Sequence, residues 1–188
     1  MAINENANID ENREYDENFT DDVQTNNHQT ENSENVVNEN SGSNSARNIE
    51  EEARRYGYKE HMRDMPLSIA RDIYNKKYYH KNGLDTLKSD KIALSVCDFI
   101  VNSGAWGAKK AQAALNELGF DLKVDGILGE KSLSALNEVD ENEFLVKYHD
   151  LQRRFYRVIV ANKPSQKVFL KGWLNRVDRK EKYLKEVF

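Results

Sequence analysis

The chain predicts an all-α fold, a compact bundle of short helices behind a disordered acidic tail. Three observations carry this. Beyond residue 66, apolar side chains recur at spacings of three and four in one segment after another. Glycine or proline punctuates those segments. Residues 1–47 are rich in Asn, Glu, Asp, Ser and Thr, with few apolar side chains and no sustained period, so they cannot bury enough surface to offset their ordering entropy. The expected division is therefore a tail over 1–47 and one helical domain over 48–188, with no internal repeat.

The elements follow in order. Asn48 reads as an N-cap, with Glu50, Glu51 and Glu52 complementing the helix dipole of a first helix running to Arg63. Pro66 opens a second helix near N1, where its missing N–H costs nothing. Leu67, Ala70, Ile73, Tyr74 and Tyr78 form its apolar stripe, and Gly83 ends it. The third helix, about Asp90 to Ser103, is apolar around much of its circumference and is expected to be the central core element; Asn102-Ser103-Gly104 stops it. A fourth spans Gly107 to Leu118, with Gly119 as its terminal glycine. Leu122-Lys123-Val124 reads as a brief extended piece. A short helix carries Leu133 and Leu136. The longest covers Glu141 to Asn162, with Phe144, Leu145, Tyr148, Leu151, Phe155, Val158 and Ile159 on one face and Pro164 just past its end. Gly172 is expected to precede a last helix beginning near Trp173.

Between the fourth helix and the short one lies Asp125-Gly126-Ile127-Leu128-Gly129-Glu130-Lys131-Ser132-Leu133-Ser134-Ala135-Leu136. Asp-Gly starts a tight turn, with Gly126 expected at positive φ. The segment resembles the D-G-x-x-G-x-x-[TS]-L-x-A-L signature of bacterial peptidoglycan-binding helical domains. Three further motifs stand in the same order. They are Ala70-Arg71-Asp72-Ile73-Tyr74-Asn75-Lys76-Lys77-Tyr78-Tyr79, then Val96-Cys97-Asp98-Phe99-Ile100-Val101-Asn102-Ser103-Gly104 with Ala108 and Gln112, and finally Arg153-Arg154-Phe155-Tyr156 followed by Phe169-Leu170-Lys171-Gly172-Trp173-Leu174-Asn175-Arg176-Val177. Together, over roughly 64 to 186, they resemble the C-terminal half of glycoside hydrolase family 108. These are phage-lysin-like N-acetylmuramidases, some called secretion activators. The resemblance implies a lysozyme-like C-terminal half and murein as partner.

A muramidase needs a carboxylic acid that protonates the leaving oxygen, usually assisted by a second carboxylate. In this family the catalytic glutamate lies in an N-terminal E-G-G-Y motif followed by D-P-x-D-x-G-G-A-T, and the sequence contains neither. Glu14, in Glu11-Asn12-Arg13-Glu14-Tyr15-Asp16-Glu17, lacks both glycines and receives no catalytic role. Asp98 reads as a structural hydrogen-bonding group, toward a helix end or Arg176, and Asp125 as a group that satisfies turn amides. No residue is assigned as catalytic. His28, His61, His80 and His149 show no metal-ligand spacing, and no metal or cofactor is expected. Cys97, the single cysteine, sits in an apolar run and reads as an inert buried thiol rather than a nucleophile.

Binding has more candidates. Tyr78, Tyr79, Trp106 and Trp173 offer aromatic faces to sugar rings; Arg153, Arg154 and Arg176 offer cations to muramic carboxylates or peptide stems, and Asp125 completes the set. For Trp173, as for Tyr156, a place in the core is the competing reading; Trp106 lies between glycines in an expected loop. The charge is uneven. Residues 1–47 carry eleven acidic groups against Arg13 and Arg47, a net −9, so a whole-chain −4 leaves +5 on residues 48–188. That surplus suits anionic murein or a solvated lysine-rich face; no nucleic-acid reader motif accompanies it. No apolar run approaches the ~20 residues of a membrane span, and the N-terminus lacks signal-peptide character. The expected protein is cytoplasmic as synthesised and acts at the cell wall if released by lysis, a holin-type pore or dedicated export. The function expected is peptidoglycan-directed, with murein binding and a lost or incomplete catalytic site. The alternative is a non-catalytic regulator of secretion or of a phage programme, contacting a protein partner through the acidic tail.

Overall fold

The computed structural model describes residues 50, 51 and 53–188; the expected tail over 1–47 lies outside the described residues. All regular elements among them are helical. Residues 53–55 end a first helical stretch, and Gly57 then turns the chain at φ +82°, so this helix stops well short of Arg63. Six longer helices follow: α1 (Leu67–Tyr74), α2 (Asp90–Ser103), α3 (Ala105–Glu117), α4 (Glu130–Glu138), α5 (Glu141–Asn162) and α6 (Lys167–Val187).

Helix α2 is the central element. Ile92, Ala93, Val96, Phe99 and Ile100 are buried on it, and it packs against α3 and α5. Helix α5 presents Phe144, Tyr148, Leu151, Phe155 and Tyr156 to the same core and also carries α6 on its flank. Ser89 caps α2 by accepting from the Ile92 amide at 3.1 Å, while its hydroxyl donates to Glu141 Oε2 in the first turn of α5. Asp140 caps α5 itself, accepting from the amides of Asn142 and Glu143 at 2.9 Å each.

Several expectations change. The α1 stripe is buried only at Ile73 and Tyr78, whereas Leu67 is 79% exposed. The reason is that α2 meets the turn after α1 more than α1 itself: over Asn75–Tyr79 the helix widens to i→i+5 bonding, and this segment packs on α2. Helix α3 starts at Ala105 rather than Gly107, because Gly104 (φ +57°) ends α2 and starts α3 with no intervening loop. Leu122–Val124 forms no strand. Helix α6 begins at Lys167, with Gly172 inside it. Glycine costs about 1 kcal/mol in a helix interior, and here the burial of Val177, Lys180 and Leu184 on α6 outweighs it.

Two glycines are demanded by the packing. Gly126 has φ +82°, as its Asp-Gly context predicts, and a Cβ there would stand 3.1 Å from the Ala105 carbonyl oxygen. Gly107 lies where α3 crosses α2, and a Cβ would meet the Ile100 backbone nitrogen at 2.6 Å. Gly107→Ala is therefore expected to destabilise the fold by about 1–3 kcal/mol through overpacking. Gly126→Val should cost roughly 1 kcal/mol or more, since a β-branched residue is excluded at that φ. Thermal melts of both variants check this; an unchanged midpoint for either would contradict the corresponding contact.

Candidate functional site

The Asp125 loop is organised from within by Gln112 on α3, whose side chain is 1% exposed. Its amide nitrogen donates to Asp125 Oδ1 at 3.0 Å, to the Ile127 carbonyl at 3.0 Å and to Ser132 Oγ at 3.3 Å, while its oxygen accepts from the Gly126 amide at 2.8 Å. Asp125 also accepts from the Ile127 amide at 2.9 Å. These bonds, Gln112 first, hold its carboxyl below the usual aspartate range. Asp125 thus serves as the turn's own acceptor through Oδ1, on an exposed loop apart from the groove residues.

A charged seam runs between α2, α5 and α6. Arg176 on α6 donates through Nε (3.0 Å) and Nη2 (2.5 Å) to one oxygen of Asp98 on α2. Lys180, one turn further along α6 and only 7% exposed, places its ammonium 3.2 Å from the other, an ion contact rather than an aligned hydrogen bond. Lys180 donates to Gln152 Oε1 at 2.8 Å and to the Ser95 carbonyl at 3.4 Å. Burial lowers its pKa, and Asp98 opposes that shift. Beside it, His149 is sealed between Ser95 Oγ at Nε2 (3.1 Å) and Glu181 Oε1 at Nδ1 (3.1 Å). Arg153 grips both oxygens of Glu181 at 2.9 and 2.7 Å and reaches Asp178 at 2.7 Å. Of the cations picked from the sequence, Arg153 is thus committed to α6, while Arg154 is exposed and paired with Asp150 at 2.7 Å.

Next to this seam opens a groove of about 520 Å³, lined by Tyr74, Tyr79, Asp90, Leu94, Cys97, Asp98, Val101, Arg176 and Phe188. The widened turn after α1 sends Tyr78 inward, against Tyr74 at 5.7 Å, and leaves Tyr79 on the groove wall. The Tyr79 phenol is raised above its ordinary pKa by burial and by Asp90. Cys97 lines the floor half-buried, its thiol pushed up to about 11 by burial and by Asp98; that makes it a poor nucleophile. The floor is an Asp98–Arg176 pair in an otherwise mostly apolar and aromatic wall.

The remaining aromatics form a ladder. Trp106 tilts against Phe155 (5.6 Å), Phe155 against Phe99 (5.4 Å), Phe99 against Tyr156 (5.8 Å); Tyr156 stacks on Trp173 (5.2 Å) and Trp173 on Phe169 (5.9 Å). Tyr156 is core at 3% exposure, and Trp173 is half-buried. Trp106 stands in the first turn of α3 rather than in a loop, with Lys109 Nζ 4.8 Å from its ring centre. The structure therefore brings two sequence-chosen residues, Tyr79 and Arg176, into one groove and distributes the others elsewhere. Asp90, Leu94, Val101 and Phe188 were missed, because helical periodicity reports which face of a helix is apolar and not where two helices part. Lys180 was missed as well, although its i+4 spacing from Arg176 was a readable signal.

Comparison with known proteins gives two adjoining family matches. Residues 20–104 match the family described as glycosyl hydrolase 108, and residues 107–178 the predicted peptidoglycan domain. The first match begins upstream of the motifs that start near residue 64, so the likeness reaches further toward the N-terminus than those motifs. No curated protein matches the chain. Among solved structures, that of Brucella abortus SagA is similar, with a TM-score of 0.56 and 24% identity over 73% of this chain and 76% of that one; the likeness is one of fold.

His149 gives the seam a pH dependence. Burial, then the Lys180 charge, depress its pKa from 6.5 to about 4, against the opposing pull of Glu181. A lowered folded-state value means that the unfolded chain takes up the proton first as pH falls. The corresponding stability is complete above pH 6.5 and is lost on the way down to about 4. The melting temperature should hold steady from pH 8 to 7 and decline between 6.5 and 4.5, with His149→Gln flattening the upper part of that decline. A wild-type midpoint unchanged across 6.5 to 4.5 contradicts the assignment.

Proposed function

Because the chain belongs to the glycosyl hydrolase 108 family, we propose that it is a peptidoglycan-directed, lysozyme-like protein that binds murein and has a lost or incomplete cleavage site. One observation carries the binding half. The groove draws its lining from both matched segments: Tyr74 to Val101 come from the glycosyl hydrolase segment and Arg176 from the peptidoglycan segment. A cavity of that size falls within the range of small-molecule sites. Tyrosine faces with a carboxylate–guanidinium pair suit a sugar chain that bears amides and carboxylates. Tyr79 and Arg176 are the residues assigned to contact it.

The second half rests on the sequence. Glycoside hydrolysis requires a carboxylic acid held protonated in a partly apolar pocket. The family's E-G-G-Y motif is not present, and the groove's central carboxylate, Asp98, has Arg176 on one oxygen and Lys180 against the other. That carboxylate holds helices together and is not placed to donate a proton.

Purified protein should co-sediment with murein sacculi at moderate salt, and Tyr79→Ala should release a large part of it. Failure of the wild type to sediment overturns the murein reading. In a turbidity assay on chloroform-treated Gram-negative cells the protein should be at best weakly lytic; clear lysis at catalytic concentrations overturns the claim of an incomplete cleavage site.

A further inference from the structure

From Leu151 to Val177 the chain carries seven lysines and arginines and not one aspartate or glutamate. This segment is the C-terminal half of α5, the short turn at Pro164–Gln166 and the first half of α6. Between residues 157 and 176 no side chain is buried, although the stretch is rich in valine, leucine and aromatic residues. Val168 is 77% exposed and Phe169 40%. Phe169 stacks on Trp173 and Trp173 on the core residue Tyr156, which fixes the exposed ring to the interior. The cations divide into two groups. Arg153, Arg154 and Arg176 are paired with Glu181, Asp150 and Asp98. Arg157, Lys163, Lys167 and Lys171 are exposed and have no ion pair among the described residues. Lys167 and Lys171 lie one turn apart on α6, with Val168 and Phe169 between them in sequence, so charge and hydrocarbon are presented together.

We infer that this end of the α5–α6 hairpin docks on the surface of an anionic lipid membrane. The two kinds of exposed group have to be matched at once. A hydrated polyanion would meet the four unpaired cations and leave Val168 and Phe169 in water. A second copy of the same face would cover the apolar groups but bring two sets of like charges together. A bilayer with anionic headgroups meets both demands, because phosphates lie at the depth of the lysines and hydrocarbon begins just beneath them. Aromatic rings such as Phe169 and Trp173 also suit that boundary. No helix among the described residues is long and apolar enough to cross a membrane, so the contact lies in the headgroup plane. Arg157, Lys163, Lys167 and Lys171 do not line the groove at Tyr79. The docking surface is therefore built from residues other than those assigned to murein, and it does not depend on that assignment.

Vesicle flotation with the full chain tests the inference. Vesicles of phosphatidylcholine containing about 30% phosphatidylglycerol should bind the protein at least about tenfold more tightly than phosphatidylcholine alone, and added salt should weaken that binding. The double variant Lys163→Glu, Lys167→Glu should lose at least about tenfold in partitioning. Val168→Ser and Phe169→Ser leave every charge in place and should each weaken vesicle binding severalfold. All four positions are exposed, and the helical circular dichroism signal of each variant checks that the fold is kept. Val168→Ser, at the more exposed of the two apolar positions, reads the apolar contribution even if loss of the Phe169–Trp173 stack disturbs α6. Equal binding to neutral and anionic vesicles overturns the inference. So does anionic binding that survives both serine substitutions, which identifies a polyanion site, or duplex DNA that competes the protein off the vesicles. A dimer in sedimentation equilibrium that dissociates in Val168→Ser overturns it too, since the face is then covered by a second copy.

Discussion

An ammonium group does not leave water without compensation, and Lys180 has almost entirely left it. Most of the arrangement of α2, α5 and α6 can be understood as the answer to that requirement. Asp98 supplies the countercharge from α2, Gln152 an oxygen from α5, and the Ser95 carbonyl a further acceptor. The Tyr148 ring lies beneath the ammonium at 5.9 Å. The partners lie on α2 and α5 while Lys180 itself is on α6, so the three helices have essentially one mutual position in which all are present. Replacing such a cluster by hydrocarbon is often neutral in stability, whereas removing one member is costly. The cluster accordingly specifies geometry more than it adds stability. It also aims Arg176, one turn away on the same helix, at the groove.

What could be read from the residues themselves was whatever is decided locally. Helices α2 and α5 match their expected spans because caps, periodicity and terminators all lie within each segment, and Gly126 takes the positive φ that its Asp-Gly context demands. Asp98 and Arg176 were also legible as one of two alternatives, since a carboxylate on the most apolar helix needs a partner. Decisions made between segments were not legible. Gly172 looks like a stop in isolation, and the helix runs through it because residues further along are buried against α5. Trp106 looks like loop between two glycines, yet Gly104 joins two helices directly. Lys180 looks like any solvated lysine until three helices close around it.

The same distinction explains why the candidate site was half found. Aromatic and basic residues in the family-like motifs were reasonable choices by chemistry. The structure divides them by whether their polar atoms are already engaged within the fold. Arg153 is held by Glu181 and Asp178, Asp125 Oδ1 is engaged by its own loop, and Tyr156 lies in the core. Arg176 alone among the chosen arginines combines a fixed plane with an open edge on a cavity. No single-residue property distinguishes it from Arg153.

Ser89 has one further consequence. Its hydroxyl accepts from the Ile92 amide in the first turn of α2 and donates to Glu141 at the start of α5, where Lys91 also pairs with Glu141 at 3.2 Å. Two helix starts separated by about fifty positions in sequence are thereby clasped at one point, and neither can fray without releasing the other. In the language of amide exchange, these two ends form one cooperative opening unit rather than two independent ones. Asp90, at the rim of the groove, sits directly beside that clasp. The acidic end of the groove therefore inherits the rigidity of two long helices, although it lies at the terminus of one.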